Sequence, residues 1–104
     1  MTQEILHTCK RYIEDNNICS LQLYVTELLE TPLTYVPDWS HLFHKSYLHA
    51  CVKGRPEIAE WLRAELYPKM DPIQQIALRQ VFPYGRHLLV RAARIEQIKL
   101  AAIA

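Results

Sequence analysis

Three histidines and a cysteine fall within eleven residues, His41–Cys51, in the run HLFHKSYLHAC. Imidazole nitrogen and thiolate sulfur are zinc ligands with bonds of about 2.0–2.3 Å, so the run raises the question of a metal centre. A single helix through it speaks against one. His44 and Cys51 share a face but stand about 10.5 Å apart along the axis, and His49 points about 140° away from His44. Only His41 and His44 can approach a common ion, and two ligands do not close a structural site. A Cys51 nucleophile assisted by His49 meets a similar objection, because residues two apart on a helix do not face each other. The carboxylate neighbours Glu57/Glu60 and Glu14/Asp15 fall at helix starts or turns, where solvated capping accounts for them. The two glycines lie outside any glycine-rich run, so no phosphate loop is present. The expectation is a chain with no catalytic residue, no metal, no cofactor and no evident small-molecule substrate.

The elements that would position these side chains read as helices nearly throughout. Ile5, Leu6, Cys9, Tyr12 and Ile13 repeat on one helical face, and EDNN at 14–17 interrupts it with turn-forming residues. A second face follows with Leu21, Val25, Leu28 and Leu29, with Ser20 as its N-cap, and stops at Thr31-Pro32. TPLTYVPDWS, 31–40, is the long connection. Asp38 or Ser40 then caps a helix from about Leu42 to Lys53, which Gly54 ends. Pro56 opens a fourth helix whose buried face is Ile58, Ala59, Leu62 and Leu66. Asp71-Pro72 opens a fifth, with Ile73, Ile76, Ala77 and Val81, and FPYG at 82–85 reads as a sharp stop before a sixth. The expected fold is all-α: one domain over 1–104, with about six helices in three antiparallel hairpins, 2–30, 41–67 and 71–104.

Composition narrows the class of protein. With 104 residues, half of them hydrophobic and only two glycines, the chain suits one helical domain with a modest core. The start is charged and amphipathic, unlike a signal peptide, and no apolar run reaches the roughly 18 residues needed to span a bilayer. Three cysteines make a poor disulfide framework, so an intracellular, reducing compartment is expected rather than secretion. Charge is uneven. Residues 1–78 carry seven Lys/Arg against ten Asp/Glu, whereas 79–104 carry five against Glu96 alone, an acidic body with a basic C-terminal segment.

The pairs of helices echo one another. ILHTC at 5–9 resembles YLHAC at 47–51, and GR at 54–55 recurs at 85–86. ACVKGRPEIAEWL, Ala50 to Leu62, resembles the core of the divergent ankyrin repeat of the kind common in large DNA viruses. Ala50, Cys51, Gly54, Glu57, Ile58, Trp61 and Leu62 stand at matching places. The resemblance implies that Ala50 and Cys51 allow close helix approach, that Gly54 turns the chain, and that Ile58, Trp61 and Leu62 seal a stack. An irregular helical bundle is the alternative fold.

Such a stack implies a non-enzymatic protein–protein interaction module, a small structural or accessory subunit of a larger assembly, in the host cytoplasm or a virion if the chain is viral. The expected partner is another protein or a second copy. Two surfaces could contact it: the aromatic loop with Tyr35 and Trp39, and the basic face of the last helix with His87, Arg91 and Arg94. The alternative function is a nucleic-acid-binding helical domain using that basic C-terminal helix. No membrane association is expected.

Overall fold

In the computed structural model, which describes residues 2–31 and 36–103, every regular element is helical, and no strand forms among the described residues. Apolar periodicity sets the first two helices. Ile5, Leu6, Cys9 and Ile13 line the buried side of α1 (Thr2–Glu14), and Leu21 and Val25 that of α2 (Ile18–Glu30). Between them Asn16 takes a left-handed φ of 52°, a conformation that a short polar side chain tolerates. Asn17 caps α2, its Oδ1 accepting the Ser20 amide at 3.2 Å. Ser20, the expected cap, therefore lies inside the first turn as the donor.

The next helix, α3 (Trp39–Val52), starts three residues earlier than its apolar pattern suggests, because Asp38 accepts the His41 amide at 3.1 Å and caps it. Gly54, at φ 69°, ends it, and the Arg55 amide then donates to the Ala50 carbonyl at 2.8 Å. With so short a turn, α4 (Pro56–Leu66) folds back along α3 and buries Ile58, Ala59, Leu62 and Leu66. A 3-10 turn, Tyr67–Lys69, leads to α5 (Pro72–Leu78), which opens with a full capping box between Asp71 and Gln74. Gln75 ties this corner together. Its Nε2 donates to the Tyr67 and Met70 carbonyls, and the Tyr67 hydroxyl donates to the Gln75 carbonyl at 2.9 Å.

The third expected hairpin does not form. The last helix, α6 (Val81–Ile103), runs through FPYG without a stop. Pro83 sits in its first turn, where the missing N–H would have had no helical partner. Gly85 marks close helix packing: a Cβ there would lie 2.6 Å from Tyr47 Cε1 and 3.0 Å from Cys51 Sγ. The main packing partner of α6 is accordingly α3, not α5. Seven residues of α5 bury only Leu78 and leave Ile73, Ile76 and Ala77, the apolar residues expected on this helix, exposed. Val81, expected on the same helix, instead begins α6 and is buried there. Among the described residues there are thus five helices of eleven or more residues and this one short α-helical segment, rather than six comparable ones.

Three helices lie parallel in one layer around α3. Contacts between α1 and α3 ascend together: Thr2 Oγ1 accepts the Asp38 amide, the Cys9 thiol bonds Ser46, and Glu14 meets His49. Those between α3 and α6 ascend likewise. Phe43 and Tyr47 pack on the Phe82 ring, Tyr47 and Cys51 on Gly85, and Gly54 on Ala92. Phe43, Tyr47, Tyr67 and Phe82 form the aromatic centre, with the Arg63 guanidinium 4.1 Å above the Phe82 ring. Beyond Ala92, α6 runs on for about 16 Å past the α3–α4 turn. That extension helps draw the molecule out to 53 × 28 × 20 Å, with a radius of gyration of 14.7 Å against about 13 Å for a compact chain of this length.

Candidate interaction surface

The histidine–cysteine run lies along α3 with its members turned to different neighbours. Cys51 is fully buried beside Gly85, and burial pushes its thiol up to about 11. Cys9 is likewise pushed up to about 11 by burial, partly offset by its bond to Ser46. Neither thiol is a thiolate at neutral pH, so neither is a poised nucleophile. His49 faces α1, its Nε2 3.1 Å from Glu14 Oε1. Burial nevertheless lowers its pKa, outweighing the carboxylate that would raise it. Burial lowers His44 too, helped by the positive charge of Lys45 and His41. Among the described residues no three His, Cys, Asp or Glu side chains converge as a metal site would require.

The residues of the ankyrin-like segment serve packing. Ala50, Cys51, Ile58 and Leu62 are buried, and Gly54 takes its left-handed turn against Ala92. Trp61 is only half-buried at the edge of the core. Arg55 adds a clamp: its Nε and Nη2 donate to the Ile13 and Glu14 carbonyls at 3.3 and 3.0 Å. Both carbonyls lie at the end of α1, and that of Ile13 also accepts the Asn16 amide at 3.1 Å.

The proposed contact residues separate into two places. Tyr35 lies outside the described residues. Trp39 begins α3 and is half-buried against the core, which leaves it little free surface. His87, Arg91 and Arg94 are exposed on α6 and line a shallow groove with Val90. With Phe43 level with Phe82, Trp39 lies about 20 Å from Arg91 along the layer, so the two do not form one cluster.

The apolar groups beside those cations carry more of the surface. From Ala93 to Ala102 every side chain of α6 is exposed, including Ile95, Ile98 and Leu100. A second groove, lined by Val52, Leu88, Arg91, Ala92 and Ile95, joins this stretch to the end of α3. The sequence IKLAAIA, 98–104, is apolar but for Lys99, and its described part projects because α6 is one helix through Ile103. No helix among the described residues is long and apolar enough to cross a membrane. Compared with known protein families, with curated proteins and with solved structures, the chain matches none.

Proposed function

We propose that the chain is a non-enzymatic protein–protein interaction module, an accessory subunit that docks into a larger assembly through α6. One observation carries this reading: a 23-residue helix leaves the body and holds Ile95, Ile98 and Leu100 in solvent at 45–68% exposure. Ile95 and Ile98 lie about 60° apart on one side of the helix, and apolar surface exposed in this way is costly in water and commonly covered by a partner. The parallel layer of α1, α3 and α6, each touching its neighbour, is compatible with a stack of helical hairpins. The ankyrin-like reading of 50–62, and the assembly role, viral by that resemblance, rest on the residues Ala50 to Leu62 themselves. Free cysteines at 9, 19 and 51 suit a reducing compartment.

The nucleic-acid reading has weaker support. Around α6, Arg86, Arg94, Arg91 and Lys99 fall at about 0°, 80°, 140° and 220°, spread over more than half the helix rather than gathered in one stripe. A phosphate backbone would require more cations on one face.

The test is the native mass of tagged, full-length chain recovered from cells that express its natural partners. The proposal expects a stoichiometric complex with another protein. A monomer with no partner would contradict it.

A further inference from the structure

We infer that the outer face of α6 receives an amphipathic helix bordered by acidic residues. This rests on the interaction-module reading and gives the partner its chemistry. Tyr84, Leu88, Arg91, Ile95, Ile98 and Ala102 follow one another at steps of four, three, four, three and four residues. That alternation holds side chains on one seam facing a second helix. The seam begins beside the α3 layer, where Val52, 55% exposed, widens its floor, and then leaves the body altogether.

Charge chooses the occupant. His87 and Arg94 border the seam on one side and Lys99 on the other, with Arg91 inside it, while Glu96 lies about 120° round the helix. Arg91, Arg94 and Lys99 are exposed and form no ion pair with a carboxylate among the described residues. A second copy of α6, parallel or antiparallel, would set Arg94 and Lys99 against the same cations. A nucleic acid would satisfy the cations but leave Ile95 and Ile98 without apolar contact. A helix with an apolar stripe and glutamates along both borders satisfies both.

Full-length chain is titrated into two fluorescein-labelled helical peptides of identical Leu/Ile seam, one bordered by Glu and the other by Lys, with anisotropy as the readout. The Glu-bordered peptide should bind at least about tenfold more tightly. Ile95→Ser/Ile98→Ser should weaken it about tenfold or more with the melting temperature unchanged, since both side chains lie outside the core. Arg94→Glu/Lys99→Glu should reverse the preference toward the Lys-bordered peptide. Equal affinity for the two peptides overturns the inference. So does a dimer in sedimentation equilibrium that Ile98→Ser dissolves, or a single-stranded oligonucleotide bound equally by wild type and Ile95→Ser/Ile98→Ser. If neither peptide binds while Ile98→Ser still enters a native complex, the acidic-helix inference falls and the interaction module stands. A wild-type monomer without any partner removes the module itself.

Discussion

Gly85→Ala separates the two meanings that a glycine in FPYG can have. In a solvent-facing helix, alanine would gain about 1 kcal/mol of helix propensity over glycine. Here the new methyl would meet Tyr47 Cε1 at 2.6 Å and Cys51 Sγ at 3.0 Å. The Tyr47 ring cannot swing away cheaply. It is 6% exposed and lies 5.5 Å, centroid to centroid, from both Phe43 and Phe82. Overpacking a core costs about 1–3 kcal/mol, and a contact this short on a held ring belongs in the upper half of that range. After the propensity gain is subtracted, the variant should be destabilised by about 1–2 kcal/mol, each kcal/mol lowering Tm by about 4–8 °C. Urea unfolding followed by helical circular dichroism measures it, with the midpoint falling and the slope unchanged. Cys51→Ala in the same chain should recover part of the loss, a non-additivity that reports contact between the two sites. A Gly85→Ala chain more stable than wild type would refute the close packing of α6 on α3.

Acid should destabilise the fold. His44 and His49 both have folded pKa values below the ordinary 6.5, so the unfolded chain takes up protons first as pH falls. The stability they contribute is complete above 6.5 and declines below it, so the urea midpoint should drop between pH 7.5 and 5.5 and drop less in His44→Gln/His49→Gln. Glu14→Gln removes a group that raises His49, so the His49 pKa, followed by NMR, should fall further. A thiol reagent at pH 8 should modify exposed Cys19 promptly in the native protein and reach buried Cys9 and Cys51 only in denaturant. Arg55→Ala strips two hydrogen bonds from the end of α1 and should cost about 1 kcal/mol in urea unfolding.

Much of the first two thirds of the chain was legible. Ile5, Leu6, Cys9 and Ile13, and then Ile58, Ala59, Leu62 and Leu66, are spaced for one face each, and each set is buried. Asp71-Pro72 read as a helix start, and it is one, with Gln74 completing the box. Gly54 and Gly85 show why the last third was harder. Both are followed by Arg, yet Gly54 is left-handed at a helix end and Gly85 is mid-helix against a tyrosine ring. A proline in a first turn and a glycine at a helix crossing use the same residues as a turn, and local sequence does not separate them. Once FPYG is read as a stop, α6 loses its first turn, α5 gains a partner it does not have, and the projecting seam disappears. At the surface, His87, Arg91 and Arg94 stood out as charges and Ile98 as part of an apolar tail, whereas Ile95 did not stand out. The difference lies in where α3 ends, a distance that only the fold supplies.

Hydrogen exchange along α6 tests the central claim most directly. Full-length chain is labelled alone and with saturating Glu-bordered peptide. Amides of 93–103, which lie outside the packed layer, should exchange quickly in the free chain and slow markedly on binding, while α1 and α2 stay unchanged. Protection appearing on α1–α2, or none appearing on α6, would contradict the assignment of α6 as the contact surface.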